Sequence, residues 1–572
     1  MKDGRRRARE RQKAGEAWLP AAHGSETGAL QQRVARGLTW TLIDTWGTQL
    51  LGLAIFVILA RLLNEYDFGL VALAAVFVAF AQLFVDQGLG DALIQRKTVT
   101  RSQIDTSFWV AVVTGGLLTV LGIVLAGPLA VLLGEPAIGP ILQWLSLSFI
   151  LAAFSSIQMA LLRREMRFRS LAIRKLTAVA GSGVIGVWMA YTGAGAWALV
   201  GQQLSNAVIS VVMLWTVSPW RPGLKVSLTD FRELSAFGIH IVAGDFLNFL
   251  SRNVDRLLIG AYLGAGPLGF YAVGYRILDT SQSMLVNFAR KLAFPIFARL
   301  QSDAARLRRA YGRVTRAVGI VILPGYIGLA LVAQEAIVVI FGAKWAASGP
   351  VAAVLFLIGP ALTLQLFTGA LLNGVGHPEV TFRIRLVTTI ANVVGFFVAV
   401  FLFKDIIYVA AAFVLRAYLL TPLILWWVQQ YAAIPIREQL GQLRSPVIAT
   451  VLMSIAVLSV KVALLGHVHN SVLLLAEVTT GIVAFLVALV IVDRELLRDV
   501  TSVALQALPG GERLRRRLHL AVPAGATGVA AAEVVGTTPV AAEETIRAGA
   551  SVGAESLTAV DGAPMDESLG DV

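Results

Sequence analysis

RLLNEYDFGLVALAAVFVAFAQLFVDQGLGDALIQRK, residues 61–97, combines an apolar run from about residue 68 to 94 with basic residues at both ends. A helix needs about 20 such residues to cross the hydrocarbon core of a bilayer. The run is rich in Leu, Val, Ala and Phe, and it lacks the short alternating segments that build a transmembrane β-barrel. This stretch therefore predicts a transmembrane helix.

The same kind of run recurs along the whole chain. Of the 572 residues, 57% are hydrophobic and 15% are charged, and the mean hydropathy is +0.74. A soluble domain has about 25% charged residues. The composition predicts an all-α integral membrane protein with about 14 transmembrane helices. The predicted spans lie at about 37–60, 68–94, 106–133, 138–162, 169–191, 194–217, 235–262, 269–297, 315–342, 348–373, 380–403, 405–430, 445–466 and 470–492.

Basic residues predict the orientation of these spans. The loops after even-numbered spans hold most of the loop Lys and Arg, for example Arg163 and Arg164 after the fourth span. The loops after odd-numbered spans contain only Arg61, Lys344 and Lys404. Because cytoplasmic loops carry the excess of positive charge, both termini are predicted to be cytoplasmic.

The two halves of the chain repeat. Three residues of the first hairpin recur 200 positions later, and the pairs are Leu63 and Leu263, Gly69 and Gly269, and Ala72 and Ala272. Six spans match the next six in the same orientation, which predicts two six-helix lobes around a central cavity. The predicted organisation is a basic cytoplasmic tail at 1–36, an N-terminal lobe at 37–217, a C-terminal lobe at 218–430, two additional transmembrane helices at 445–492 and a mostly disordered cytoplasmic tail at 493–572. Arg513 and Arg515 in that last tail are expected to contact anionic lipid headgroups.

Composition and motifs argue against several function classes. The chain has no Cys and only six scattered His residues, so neither a metal site nor a disulfide is expected. No Gly-rich phosphate loop or GxSxG nucleophile motif occurs, which predicts a protein that is not an enzyme and needs no cofactor. The net charge of +13 lies mainly in the tail and in loops beside apolar runs, so nucleic acid is not expected as a partner.

Charged residues inside the predicted spans are the candidates for function, because a charge in the membrane is costly. On the seventh span, Asp245, Arg252 and Arg256 share one helical face. On the eighth, Arg276 and Asp279 lie on a similar polar face. Two other interpretations stay open: Arg256 and Arg276 extend toward the headgroups, and Asp255 only pairs with Arg252 three residues before it.

Four segments carry a family resemblance: RLLNEYDFGLVA (61–72), FVDQGLGDALIQRK (84–97), NVDRLLIGAYLGAGPLGFYAVGYRI (253–277) and FGAKW (341–345). They resemble the polysaccharide transporters of the multidrug/oligosaccharidyl-lipid/polysaccharide superfamily. The similarity is greatest to the Wzx-type flippases, in the branch that includes the colanic acid exporter. It extends over about residues 37–431.

This resemblance implies a twelve- or fourteen-helix fold of two lobes in a bacterial plasma membrane. It also implies that undecaprenyl-pyrophosphate-linked oligosaccharide moves from the inner to the outer leaflet, with a polysaccharide polymerase or glycosyltransferases as partners. Under this interpretation Arg252, Arg256 and Arg276 bind the pyrophosphate. The residues expected to couple an ion or to line the polar cavity are Asp44, Asp245, Asp255 and Asp279.

Two alternatives remain at this point. One is an ion-coupled multidrug exporter of the same superfamily, whose site would favour carboxylates and aromatic rings over Arg. The other is a membrane scaffold or receptor that transports nothing, although such a protein has no need of charge in the middle of the membrane.

Overall fold

A computed structural model describes residues 43–86, 89–96, 98–224, 226–286, 297, 299–300 and 303–493. The predicted tail at 1–36 lies outside these residues, as does the predicted tail at 493–572 except for residue 493. Every regular element in the described ranges is helical, so the fold is all-α.

The first half contains the helices α1 (Thr48–Leu62), α2 (Glu65–Asp86), α3 (Leu89–Gln95), α4 (Arg101–Leu132), α5 (Ile138–Arg164), α6 (Phe168–Tyr191) and α7 (Ala196–Val217). A capping box begins α4: the Thr100 hydroxyl accepts from the Gln103 backbone N–H at 3.3 Å, and the Gln103 side chain accepts from the Thr100 N–H at 3.2 Å. These two bonds satisfy amides that the helix itself leaves unpaired. Local sequence thus fixes where this long helix starts.

The second half contains α8 (Leu228–Tyr262), α9 (Ala265–Ser281), α10 (Ala304–Phe341), α11 (Ser348–Phe356), α12 (Gly359–Gln365), α13 (Thr368–Gly374), α14 (Pro378–Val398), α15 (Ile406–Ala432), α16 (Ile436–Gly441), α17 (Arg444–Leu464) and α18 (Asn470–Val492). The ninth predicted span starts earlier than expected. Residues 304–314, predicted as a loop, form the first turns of α10, because the Asp303 carboxylate accepts from the Arg306 backbone N–H at 2.9 Å and caps the helix.

Twelve candidate membrane spans occur in the described part of the chain, judged by length and apolar composition. The tenth predicted span is not one straight helix but the three short helices α11, α12 and α13, with Pro360 in the first turn of α12. Proline removes a backbone donor and interrupts a continuous helix. The helices at the seventh and eighth predicted spans, α8 and α9, carry the mid-span charges and are not among the twelve, so the count of 14 stays a prediction.

Helices α2 and α9 cross at backbone distance. A Cβ atom added at Gly69 would overlap with the carbonyl oxygen of Ala265, and one added at Gly269 would overlap with the carbonyl oxygen of Glu65. Each contact is therefore the counterpart of the other, shifted by 200 positions. The reciprocity is consistent with the repeat in the sequence, while the predicted lobe boundaries stay predictions.

Side chains near the α1–α2 turn and the end of α10 join the two halves. The Arg61 guanidinium donates to the carbonyl oxygens of Val339 and Ile340, each at 2.8 Å. The Lys344 ammonium donates to the carbonyl oxygen of Leu63 at 2.6 Å and to that of Arg61 at 3.0 Å. Burial lowers the pKa of Lys344, and the nearby carboxylates of Glu65 and Asp67 partly offset this decrease.

Trp345 completes this contact, which we call the hairpin latch (Arg61, Lys344 and Trp345 with their backbone acceptors). Its indole N–H donates to the carbonyl oxygen of Ala60 at 2.7 Å, and the side chain is fully buried. Its ring meets the Phe68 ring edge to face at 5.3 Å. By the predicted orientation, the hairpin latch lies at the outer side of the membrane.

Candidate functional site

Asp255 on α8 is a buried carboxylate with defined partners. Only 2% of its surface is exposed. The Tyr271 hydroxyl on α9 donates to one carboxylate oxygen at 2.7 Å, and the Arg256 backbone N–H donates to the other at 2.9 Å. A buried carboxylate is tolerated only when such donors compensate its lost hydration. Asp255 therefore ties α8 to α9.

Arg252 takes a different partner from the one considered in the sequence. Its guanidinium lies 4.0 Å from the carboxylate of Asp279 on α9, and the two side chains are 57% and 36% exposed. The interpretation in which Asp255 pairs with Arg252 is therefore wrong. Asp255 turns into the interface with α9, where Tyr271 holds it, whereas Arg252 lies on the open side of α8. The pair of Arg252 and Asp279 leaves the Arg252 side chain largely accessible.

Arg256 and Arg276 face aromatic rings of the protein. The Arg256 guanidinium lies 4.8 Å from the centre of the Tyr275 ring, and that of Arg276 lies 5.5 Å from the centre of the Phe56 ring on α1. The Nε atoms of both are buried without a hydrogen-bond partner among the described residues. Cation–π contacts of this kind hold a guanidinium in place without consuming its donors. These ring contacts hold both guanidiniums against the protein, which argues against their extension toward the headgroups.

Arg416 on α15 belongs to the same region and was missed by the sequence reasoning. Its guanidinium lies 5.3 Å from the centre of the Phe413 ring, which in turn lies 6.4 Å from the Tyr275 ring. Its Nε atom is also buried without a hydrogen-bond partner in the described part of the chain. The signal was available, since Arg416 is a charge in the middle of the twelfth predicted span.

Arg256, Arg276 and Arg416 together form what we call the cationic cluster. Of the three predicted substrate-binding residues, Arg256 lies against Tyr275 on α9, and Arg276 follows Tyr275 in the chain with its guanidinium against Phe56 on α1. Arg252 is one turn from Arg256 on α8. Of the predicted acidic residues, Asp255 and Asp279 lie beside this cluster. The side chains of Asp44 and Asp245 are outside the described part of the structure.

A neutral polar cleft lies in the first half of the chain, between α2, α5 and α7. Its volume is about 290 Å³. Amide and hydroxyl side chains supply its polar lining: Gln82, Ser148, Ser155, Gln203, Asn206 and Ser210. None of the lining residues is charged. Helix α2 also packs against α8 and α9, the helices of the cationic cluster.

Comparison with known proteins gives relatives over most of the chain. The chain is 29% identical over 500 residues to the succinoglycan biosynthesis transport protein ExoT of Rhizobium meliloti (strain 1021), covering 86% of this chain and 98% of ExoT. It is 27% identical over 367 residues to the lipopolysaccharide biosynthesis protein WzxC of Escherichia coli (strain K12), covering 63% of this chain and 74% of WzxC. A third relative is the teichuronic acid biosynthesis protein TuaB of Bacillus subtilis (strain 168), 26% identical over 62% of this chain and 74% of TuaB.

Solved structures share the fold at low sequence identity. The lipid II flippase MurJ in an inward closed conformation superposes with a TM-score of 0.66 at 13% identity, over 80% of this chain and all of MurJ. An inward-facing multidrug resistance MATE transporter of the MOP superfamily superposes with a TM-score of 0.53 at 15% identity, over 67% of this chain and 94% of the transporter. The polysaccharide biosynthesis protein family matches residues 58–350, about half of the chain. The resemblance seen in the sequence is thereby confirmed: the chain belongs to the polysaccharide biosynthesis protein family and shares the all-α fold of these two solved structures.

Proposed function

We propose that this protein is a flippase that moves a lipid-linked oligosaccharide across the bacterial plasma membrane for the assembly of surface polysaccharide. The observation that carries the proposal is the cationic cluster, three arginines held against aromatic rings on α8, α9 and α15. The names of the relatives support it, since ExoT is a succinoglycan biosynthesis transport protein and WzxC a lipopolysaccharide biosynthesis protein.

The chemistry of the substrate explains why such a cluster is needed. A polyprenyl pyrophosphate carries negative charge that cannot pass through hydrocarbon alone. Arginine is suited to phosphate oxygens because its planar guanidinium donates two parallel hydrogen bonds. In the cationic cluster, rings support the guanidinium faces. The polyprenyl chain would remain in the surrounding lipid.

The neutral polar cleft supplies a complementary surface for sugars. Sugar hydroxyls both donate and accept hydrogen bonds, as do the amides and hydroxyls of Gln82, Gln203 and Asn206. An uncharged lining suits a neutral or variable glycan better than fixed charge would. The two polar regions thus match the two polar parts of the substrate, with pyrophosphate at the second half of the chain and glycan at the first.

The alternatives are disfavoured by charge. In a multidrug exporter, three clustered arginines would repel the organic cations that it has to bind, because like charges in a low-dielectric site interact strongly. A scaffold that transports nothing gains no benefit from buried arginine Nε atoms without partners. We further propose that both termini are cytoplasmic and that a polymerase or glycosyltransferases act with the protein.

The decisive experiment deletes the gene in its own host and analyses lipid-linked oligosaccharide and surface polysaccharide together. A flippase mutant accumulates the lipid-linked oligosaccharide and loses the surface polymer, and plasmid expression reverses both. In parallel, polyprenyl pyrophosphate should raise the thermal stability of the purified protein, whereas cationic dyes should not. Unchanged lipid-linked intermediates with stabilisation by dyes would establish the multidrug alternative instead.

A further inference from the structure

Three ionisable residues meet inside the membrane region away from the cationic cluster. They are Glu335 on α10, Lys461 on α17 and Glu477 on α18, and we call them the carboxylate pair and its lysine. Glu335 lies about 9 Å from the end of α10, and Glu477 about 10 Å from the start of α18, at 1.5 Å per residue. By the predicted orientation, these helix ends are at the outer side of the membrane.

Lys461 is engaged with α10. Its ammonium donates to the Glu335 carboxylate at 2.9 Å and to the carbonyl oxygen of Leu331 at 2.8 Å. The Glu335 side chain is 7% exposed, so the pair is well shielded from solvent. Lys461 and Glu335 therefore neutralise each other within one hydrogen-bonded pair.

Glu477 is the unmatched member. Its side chain is completely buried, and its nearest approach to the Lys461 ammonium is 3.7 Å, beyond hydrogen-bond distance. Neither of its carboxylate oxygens has a hydrogen-bond partner among the described residues. An ionised carboxylate that is buried without donors is far more costly than its neutral acid.

Within the part of the chain that the structure describes, no second cation pairs with Glu477. On the faces that α10, α17 and α18 turn toward Glu477, the ionisable residues in the described ranges are Glu335 and Lys461. The ion pair of Arg316 with Asp493 joins the other half of α10 to the end of α18, about 24 Å along α18 from Glu477. With two carboxylates and one ammonium, the site has a net charge of −1 when fully ionised.

From this geometry we infer that Glu477 is a proton-binding site, and that the carboxylate pair holds one exchangeable proton on Glu477 while Lys461 stays paired with Glu335. The proton adds to a carboxylate oxygen of Glu477, and no bond between heavy atoms forms or breaks. Hydronium ion or water on the outer side supplies and receives it.

An adjoining cavity gives the proton a structural consequence. A cavity of about 460 Å³ separates parts of α10, α17 and α18, and Glu477 is its charged lining residue among apolar side chains and the small residues Gly325, Gly328 and Gly481. When Glu477 is neutral, α18 packs on α10 without repulsion. When it is ionised, the two carboxylates repel each other across this loosely filled interface. If the protein acts as the proposed flippase, this difference would let the proton gradient bias the position of α18.

The first experiment measures protonation directly with dicyclohexylcarbodiimide, an apolar reagent that adds to protonated carboxyl groups and forms a stable N-acylurea. The full chain, in nanodiscs of phosphatidylethanolamine and phosphatidylglycerol, is treated from acidic to alkaline pH and mapped by mass spectrometry. Modification of Glu477 should fall about tenfold for each pH unit above its midpoint. Glu335 should be modified much less than Glu477, because its carboxylate accepts a hydrogen bond from the Lys461 ammonium at 2.9 Å.

Two variants complete the test. Glu477→Gln should abolish the modification at this site. Lys461→Met removes the cation, so modification of Glu335 should increase, which establishes that the reagent reaches the site. Modification of Glu335 in Lys461→Met, with no modification of Glu477 at any pH in the unaltered protein, would overturn the proposal.

A second measurement does not depend on the reagent. Because a ligand that binds the folded state stabilises it, proton binding at Glu477 should make the thermal stability of the unaltered protein fall as the pH rises. Glu477→Gln is permanently neutral and should lose that part of the pH dependence. Equal pH dependence in the two proteins would refute the proton site. Neither measurement involves transport, so their failure would leave the proposed flippase function untouched.

Discussion

Gly69 on α2 and Gly269 on α9 are equivalent positions of the repeat, and each lies against the backbone of the other helix. Such a contact has no side chain that can yield. Gly69→Ala or Gly269→Ala should therefore cost at least the 1–3 kcal/mol that is typical for overpacking, about one to two powers of ten in the folding equilibrium. The measurement is the yield and thermal stability of the membrane-inserted protein.

Gly266 provides the matched control for that prediction. It lies on the same helix, three residues before Gly269, and a Cβ atom added there meets nothing within 4 Å. Gly266→Ala should leave yield and thermal stability unchanged or slightly improved, because alanine favours a helix. Equal effects of the substitutions at Gly266 and Gly269 would contradict the close crossing of α2 and α9.

Arg416 should be necessary for transport. Arg416→Lys retains the charge but loses the planar fork that binds phosphate oxygens, so export per molecule should fall, and Arg416→Ala should reduce it further. Loss of one charge-assisted hydrogen bond costs about 1.5–3 kcal/mol, which lowers the affinity for polyprenyl pyrophosphate roughly 10- to 150-fold. Surface polysaccharide normalised to inserted protein is the readout.

Exposed Arg437, on the short helix α16, is the control for that series. Arg437→Ala removes a positive charge outside the cationic cluster and should leave export unchanged. The exposed pair of Arg252 with Asp279 allows a sharper comparison, since Arg252→Lys keeps the ion pair but not the fork. Normal export by the lysine variants at both Arg252 and Arg416 would argue against bidentate pyrophosphate binding.

The Tyr271 hydroxyl should matter for stability through Asp255. Tyr271→Phe removes the side-chain donor of a buried carboxylate, and such a loss costs about 1–3 kcal/mol. Tyr275→Phe is the matched control, because the Tyr275 hydroxyl makes no hydrogen bond with the described residues and its ring still supports Arg256. Thermal unfolding of the purified variants would decide, and similar stabilities would mean that Asp255 does not depend on Tyr271.

The hairpin latch should control access from the side on which it lies. Trp345→Phe keeps an aromatic ring but loses the N–H that donates to the carbonyl oxygen of Ala60. Loss of this hydrogen bond costs about 1 kcal/mol, which is about a fivefold change in the equilibrium between the closed and the open conformation. The chain has no Cys, so a single Cys at buried Leu63 can report opening through its rate of reaction with a membrane-impermeant thiol reagent. That rate should rise about fivefold.

Trp109 offers the comparison for the hairpin latch. Its indole N–H donates to the carbonyl oxygen of Gly223 at 2.8 Å, a bond of the same kind that does not involve the α1–α2 turn. Trp109→Phe should leave the reactivity of the Cys at position 63 unchanged. If both Trp substitutions raise the reactivity equally, the change reports general loosening and not release of the latch.

A pH-dependent contribution should come from Glu438 on α16. Its hydrogen bonds from the Arg308 guanidinium hold the pKa of this carboxyl below its usual value. The ionised Glu438 therefore stabilises the folded protein above the ordinary carboxyl pKa, and this stabilisation is lost as the pH falls through the lowered pKa. Glu438→Gln should reduce thermal stability slightly at neutral pH and not at strongly acidic pH, and the same small difference at every pH would exclude an ionic contribution.

Sequence reasoning reached the features that depend on composition and spacing. Apolar runs predicted the helical membrane fold, and the offset of 200 between Gly69 and Gly269 indicated a repeat, but the contact of α2 with α9 at these two residues was not predicted. The sequence could not decide the partner of Arg252, because Asp255 on α8 and Asp279 on α9 could both lie near it. In the structure Asp255 turns toward Tyr271, and Asp279 is the carboxylate beside Arg252. Chain order alone does not fix such a rotation.

Other omissions had a signal in the sequence. Arg416, Glu335, Lys461 and Glu477 all lie within predicted spans, where any charge is a candidate for function. They were overlooked because none of them forms a stripe with other charged residues at helical spacing. Their significance depends on contacts between helices far apart in the chain, such as Lys461 with Glu335.

The crossing of α2 and α9 has a mechanical consequence. Gly69 is four residues from the start of α2, so about 25 Å of that helix extends beyond the point of contact. Where backbone meets backbone there are no interlocking side chains to resist a change of angle, and the crossing can serve as a fulcrum. A small change of the crossing angle at Gly69 and Gly269 then becomes a large displacement at the far ends of both helices. Such a change would narrow the opening on one face of the membrane and widen it on the other.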